Sequence, residues 1–393
     1  MRLGVARHPL LQVAAVTAGL TSTSTSAFAA EWLFAPAADV SEQTQRNPHL
    51  SPDKNEEKKM STGASAQVSL GVQRRTERLT MALQSAIGTH RFPDASDLDR
   101  NDGHVDLSLN WLGEKVSWSG TAAATRDTTL TSELGSTGLT QGNSRHESYN
   151  LSFGPNWALS ERLQAQTSVS LYSSRYPGAT ASLENYDYNT ATASMSYVLT
   201  DRASLSVLGS AGRLVSQGSG SNTDNASISL QTRYIWSPLL SFGAGLGPSL
   251  TKTAQGEQRG LIYSADVTRA FERASLSLSV SRRQSPSGRA VLTQTDEATL
   301  AFSAQITERL SGTATAGISR RRNTLRDFNL DLTRVRYTHA DIGVFWQLAS
   351  NWRLGASVGN AVQQVGSAFF DDSTGRGYNA RLGLTWNGDP YVK

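Results

Sequence analysis

Thr76-Glu77-Arg78-Leu79 lies between two stretches in which apolar and polar residues alternate. Val68, Leu70 and Val72 alternate with Gln67, Ser69 and Gly71 before it, and Leu79, Met81 and Leu83 with Thr80, Ala82 and Gln84 after it. A period of two marks a half-buried strand, and a hydroxyl-acid-base phrase between two such strands reads as the tight turn of a hairpin. The phrase recurs at intervals of roughly forty residues. It stands as Ser160-Glu161-Arg162-Leu163, Thr200-Asp201-Arg202-Ala203, Phe271-Glu272-Arg273-Ala274 and Thr307-Glu308-Arg309-Leu310, with looser versions at Gly113-Glu114-Lys115-Val116, Ser237-Pro238-Leu239 and Ser350-Asn351-Trp352-Arg353. The segments at the other end of each hairpin are longer and rich in Gly, Ser and Asn. Short turns on one side and long loops on the other are what a membrane β-barrel shows.

Rows of the same period continue along the chain. They include Val105, Leu107, Leu109 and Trp111; Ala203, Leu205 and Val207; Ala226, Ile228 and Leu230; Leu276, Leu278 and Val280; Ala314, Ala316 and Ile318; Ala340, Ile342, Val344 and Trp346; and Tyr378, Ala380, Leu382, Leu384 and Trp386. Each run is about ten residues long, the length a tilted strand needs to cross a bilayer. The pattern from Trp32 to Trp386 predicts an all-β, transmembrane, antiparallel up-and-down barrel of about eighteen strands, with sixteen the alternative because the first strand carries Pro36. The first strand, Glu31 to Ser41, and the last, Gly377 to Asn387, are expected to pair and remove both edges. Pro155 and Pro248 fall inside strands, where proline cannot donate to a ladder, and bulges are expected there.

A period near forty residues is also that of a β-propeller, but a blade packs four short strands where each repeat here holds two long ones. The tryptophans decide between them. Trp111, Trp118, Trp157, Trp236, Trp346 and Trp352 fall within a few residues of short turns, and Trp32 and Trp386 at the ends of the pattern, so all eight gather at one rim as a periplasmic aromatic girdle. Tyr149, Tyr172, Tyr176, Tyr337 and Tyr378 lie toward the other rim.

The first thirty residues read as a secretion signal: Arg2, Arg7 and His8, an apolar centre from Leu10 to Leu20, and a small-x-small site at Ala27-Phe28-Ala29. The barrel is then expected over 31–393, in the bacterial outer membrane. There is no cysteine, which excludes disulfides and thiolate metal sites. The net charge of +4 is too small an excess to argue for nucleic acid, and no residue pattern demands a cofactor, a metal or a particular oligomer.

Once the outward rows are fixed, the inward face follows. Ser275, Ser277, Ser279 and Ser281, then Ser311, Thr313 and Thr315, then Gln164, Gln166 and Ser168, then Gly243, Gly245 and Gly247 are small and uncharged. Such side chains cannot fill a barrel of this size, which leaves a water-filled bore. The inward charges are few: Asp106, Arg233, Asp266, Asp341, Arg353 and Arg381, with His339 nearby. They form either a selectivity ring of mixed sign or pairs that stiffen the wall. His339 and Asp341 lack a nucleophile motif beside them, so no enzyme is read from them. Tyr172, Tyr186 and Tyr188 point inward near the outer mouth, where they could stack on sugar rings, join the girdle or pack a loop. Arg282, Arg283, Arg320, Arg321 and Arg322 form a basic outer rim suited to lipopolysaccharide phosphates or to an anionic solute. The loop from Arg126 to His146 carries Thr128-Thr129-Leu130-Thr131-Ser132-Glu133-Leu134, too apolar for a solvated tip, and is expected to fold into the mouth or the bore.

The chain resembles bacterial outer-membrane porin-like barrels over nearly all of its mature length, and in general porins the third loop enters the bore. Trp32-Leu33-Phe34-Ala35-Pro36 followed by Asn47-Pro48-His49-Leu50 is similar to the opening of barrels associated with exosortase and exopolysaccharide systems. The first resemblance implies passive diffusion of small hydrophilic solutes. The second implies a pore or accessory barrel for an anionic polysaccharide, and a plugged bore would imply a non-conducting surface receptor.

Overall fold

The computed structural model describes residues 31–136, 143–178, 183–218, 220, 222–254, 256–323, 334–366 and 373–392; the signal segment expected over 1–30 lies outside them. Eighteen strands follow one another: β1 (Glu31–Arg46), β2 (Met60–Arg75), β3 (Leu79–Arg91), β4 (Arg100–Leu112), β5 (Val116–Thr128), β6 (Arg145–Ala158), β7 (Leu163–Arg175), β8 (Tyr186–Thr200), β9 (Ala203–Ser216), β10 (Asn222–Ser237), β11 (Leu240–Thr253), β12 (Gly256–Ala270), β13 (Ala274–Pro286), β14 (Leu292–Gln305), β15 (Leu310–Asn323), β16 (Arg334–Ala349), β17 (Trp352–Gly366) and β18 (Ser373–Asn387). Each pairs antiparallel with the next, and β1 pairs with β18 from Ala37↔Asn387 to Arg46↔Tyr378, so the sheet closes. A two-residue strand, β19 (Tyr391–Val392), adds to Phe34 and Leu33 beyond the end of β18.

The strands are longer than the apolar rows predict. β1 continues past Ser41 to Arg46 and β18 begins at Ser373 rather than Gly377. Outside the hydrocarbon both faces of a strand are polar, as at Glu42, Thr44 and Arg46, while the backbone ladder still continues. For the same reason β5 runs to Thr128 and β6 starts at Arg145, so Asp127 and His146 belong to the wall and not to the loop between them.

The apolar rows face outward. Val68, Ile87, Leu151, Val169, Met195, Leu230, Leu246, Leu300, Ile342 and Leu382 are all exposed on one parity of the sheet, which is the face that lipid covers. The tryptophans share that parity beside the short turns. Trp111 is opposite Trp118, Trp352 is opposite Trp386, and Trp236 and Trp346 are exposed.

The recurring turn phrase has a local cause. In Thr76–Leu79 the N–H of Leu79 donates to the Thr76 hydroxyl (2.9 Å), in Ser160–Leu163 the N–H of Leu163 to Ser160 (3.0 Å), and in Thr307–Leu310 the N–H of Leu310 to Thr307 (3.1 Å). The hydroxyl thus satisfies a turn N–H that the ladder leaves unpaired, while the acid and base stand in solvent. The carbonyl at the Arg position serves the neighbouring hairpin. Arg78, Lys115, Arg162, Arg202, Leu239, Arg273, Arg309 and Asn351 each accept the N–H near the end of the strand beyond, at 2.6–3.0 Å, which stitches the rim into one ring. Thr307→Ala is expected to cost about 0.5–1 kcal/mol in equilibrium unfolding, one exposed hydrogen bond, and to leave the strand register intact.

Neither proline makes a bulge. The β6–β7 register is the same on both sides of Pro155 (Phe153↔Val169, Asn156↔Gln166), as is β10–β11 around Pro248 (Ser227↔Ser249, Leu230↔Leu246); the ladder skips two pairs and inserts no residue. A glycine precedes each proline, and a Cβ on Gly154 or Gly247 would fall 1.9 or 1.8 Å from the facing carbonyl of Thr167 or Ile228. Close approach of the two backbones takes up the missing donor. The register shifts that do occur lie at the short turns, at Val198/Thr200, Ile235/Ser237 and Gln347/Ala349.

Candidate functional site: the bore and its outer mouth

Burial on the inward face changes along the strands. Toward the short turns Asp106, Arg233 and Arg353 are exposed and Asp266, Asp341 and Arg381 half-buried. Toward the long connections Gln43, Gln45, His90, Arg100, Asp102, His146, Ser174, Thr251, Thr295, Arg321 and Gln363 are buried. Loops packed against the upper wall account for the difference.

The inward charges mostly lie along the wall. Arg381 bonds Asp39 and the Ser41 hydroxyl (2.9 Å), and Thr385 bonds Asp39 (2.8 Å), so this group ties β18 to β1 across the closing seam. Arg353 stacks over Phe345 at 5.2 Å. Gly243 is the register partner of both Arg233 and Asp266, and a Cβ there would sit 2.2 Å from an Asp266 oxygen, so the carboxylate lies flat over it toward Arg233. Asp341 lies in the same way over Gly359, and His339 over Gly317 with its ring stacked on Tyr337 at 5.5 Å. Asp106 keeps more than half its side chain exposed, 4.0 Å from His104.

The tyrosines do not offer themselves to a sugar. Tyr186 is buried with Tyr176, Leu214, Ala290 and Leu292, and Tyr172 and Tyr188 pack against that cluster. Of the three readings of these residues the packing fits loop packing, because protein already covers the ring faces. The basic rim also divides. Arg320 and Arg322 are exposed on the lipid-facing parity, and Arg282 there grips Asp296 with two nitrogens (Nη2 at 2.9 Å) beneath Tyr263. Arg283 and Arg321 point inward, Arg283 to Glu297 at 3.0 Å and Arg321 into the buried upper wall, so these two are not part of a rim that meets lipid. Alternation along the strand makes the division: adjacent arginines cannot share a face.

The mouth is crossed by a short helix, α1 (Thr129–Ser136), from the β5–β6 connection. Leu130 and Leu134, four residues apart, share a helical face. Leu130 packs on Phe92, Ala95 and Leu98 of the β3–β4 connection, and Leu134 on Leu50, Tyr337 and Ala361. Glu133 is buried beside them and accepts hydrogen bonds from the Tyr176 hydroxyl and from the N–H of Gly288 (3.3 Å), in the β13–β14 connection almost half-way round the wall. Gly288 also accepts the N–H of Glu184 (2.8 Å), so three connections meet at one point. Burial, and then the Glu133 carboxylate, push the Tyr176 hydroxyl above its ordinary range and keep it a donor.

Beneath Tyr176, Asp127, His146 and Ser174 are joined on adjacent strands: His146 Nδ1 to Asp127 at 2.8 Å and Nε2 to Ser174 Oγ at 3.0 Å. The order of groups is that of a nucleophilic triad. Ser174 has no exposed surface, however, and the Tyr176 ring lies 4.9 Å from that of His146, so the network as placed braces the wall. Glu133, Gly288 and this network escape a reading of the sequence, because their partners meet only when the barrel closes.

No protein family and no curated protein matches the chain. Among solved structures it is similar to OccK2 (OpdF) of Pseudomonas aeruginosa, with a TM-score of 0.50 at 11% identity over 90% of this chain and 97% of that one. It is also similar to OpdK of the same organism, solved with vanillate, at 0.49, 11%, 92% and 99%. A mutant of the ferric enterobactin receptor PfeA, again from that organism, gives 0.47, 10%, 90% and 80%. At such identities the likeness is one of fold. A closed eighteen-strand sheet, an exposed apolar outer face and this likeness define a porin-like barrel of the bacterial outer membrane.

Proposed function

We propose that the barrel is an outer-membrane channel for passive diffusion of small hydrophilic solutes, narrowed at its outer mouth by the loop that carries α1. The observation that carries this reading is the contrast along the inward face. The lower wall is lined by accessible small polar groups such as Ser279, Gln164 and Gln166, while burial is concentrated at the upper end, where the loops fold in. Solutes would enter past the loops and then meet Asp106, Arg233 and Arg353, the more exposed of the wall charges, which orient dipolar molecules. Arg320 and Arg322 suit lipopolysaccharide phosphates outside the barrel.

Swelling of proteoliposomes in iso-osmotic sugars tests the reading. A pentose is expected to enter faster than a trisaccharide, as a narrowed bore requires. Folded protein that gives no swelling with any sugar would overturn it, in favour of a polysaccharide pore opened by a partner or of a non-conducting receptor.

A further inference from the structure

Glu133 is a carboxylate buried across the path of a solute, and its surroundings are those of a receptor for such a group. The Tyr176 hydroxyl donates to one oxygen and the Gly288 N–H to the other (3.3 Å). The buried guanidinium of Arg321, on β15, lies in the combined field of Glu297 and Glu133. A Cβ on Gly288 would lie 2.9 Å from Leu183, 3.0 Å from the Tyr176 hydroxyl and 3.1 Å from the Glu133 carboxyl carbon, so only glycine brings its N–H this near. Donors from the β7–β8 and β13–β14 connections thus converge on an acceptor that arrives on α1, with the Arg321 guanidinium as a nearby buried positive charge. Two donors aimed at the two oxygens of one carboxyl group match a carboxylate, which accepts at both, and not a neutral amide, which accepts at one.

We propose that this cradle is a binding site for the carboxylate of a small solute, occupied in the closed barrel by the chain's own Glu133. Its place in transport rests on the channel reading above, but its chemistry does not. A free carboxylate seated there receives the same donors and sends Glu133 into water. The helix then keeps its Leu130 and Leu134 contacts but loses its polar tie to the far wall. Until that happens Glu133 competes as a tethered ligand, at the high effective concentration that tethering confers.

Calorimetric titration of the folded full-length barrel in detergent tests this, with acetate as the probe because it is the fragment that Glu133→Ala removes from the side chain. Glu133→Ala is expected to bind acetate about tenfold more tightly than the wild type, since no internal ligand competes. Acetamide is expected to give only heat of dilution in both proteins, and adding Tyr176→Phe to Glu133→Ala is expected to weaken acetate several-fold. Equal acetate affinity in wild type and Glu133→Ala, or an equal response to acetamide, would overturn the proposal. If Glu133→Ala fails the heat-modifiability test of a folded barrel, Glu133→Gln replaces it. A neutral amide holds the cradle less well, so acetate should again bind more tightly than to the wild type, and equality overturns the proposal. Because binding is read and not conduction, acetate binding by a barrel that passes no sugar would sink the channel reading and leave this one standing.

Discussion

Glu133→Ala is expected to raise single-channel conductance in planar bilayers several-fold and to add open-channel noise, while the barrel still folds. Glu133 supplies two hydrogen bonds between α1 and groups that lie outside its own connection, Tyr176 and Gly288. An intramolecular hydrogen bond contributes about 0.5–1.5 kcal/mol net, and every 1.4 kcal/mol is about a factor of ten in the ratio of folded-in to displaced loop, so even the low end for two bonds is a several-fold change. Leu134 still packs on Leu50, Tyr337 and Ala361, so the helix is loosened and not expelled. The wall is independent of this tie: its ladder runs strand to strand and closes at β1–β18. Leu134→Ala on its own removes apolar packing and leaves the carboxylate in place, so its smaller rise in conductance would identify the polar contact as the main restraint. An unchanged conductance in Glu133→Ala would mean that α1 does not limit the bore.

The wall was legible because lipid imposes a simple rule on each strand. Val68, Leu70 and Val72 announce one face, and the turn at Thr76 reverses the chain where the hydroxyl can cap it. The same rule fails where lipid ends. Glu42 to Arg46 and Asp127 to Thr128 are strand residues with no apolar alternation, held by ladder bonds that any sequence can make. Pro155 and Pro248 misled for a related reason: the glycine before each proline matters as much as the proline, and its effect depends on how near the facing carbonyl comes. The mouth was legible only as a tendency. Leu130 and Leu134 showed that the loop seeks cover, and it does. Which groups cover it depends on partners such as Tyr176 and Gly288, 43 and 155 residues from Glu133 along the chain, and no local pattern links them. Tyr172, Tyr186 and Tyr188 were correctly placed by parity near the mouth, but parity cannot tell a ring that faces water from one that faces a folded-in loop.

Leu230→Arg is expected to be the most damaging single change to the wall, and its depth dependence tests which way the wall faces. Leu230 lies midway along β10 between Val207 and Leu246, on the exposed apolar parity. Arginine at the midplane of a barrel's lipid face costs about 2–4 kcal/mol, falling to about 0–1 kcal/mol near the interface. Tyr234→Arg, on the same face and strand but close to Trp236 and the short turn, is therefore expected to cost a fraction of that. Gln231→Arg, the very next residue after Leu230, points into the bore opposite Ser206 and Gly245 and keeps its charge in water. Denaturant unfolding from lipid vesicles should rank the three as Leu230→Arg far below the wild type, Tyr234→Arg slightly below it, and Gln231→Arg nearly unchanged. The inward variant should also shift ion selectivity toward anions, which neither outward variant has a reason to do. Equal losses at residues 230 and 231 would contradict the assignment of faces, and with it the bore on which the channel reading depends.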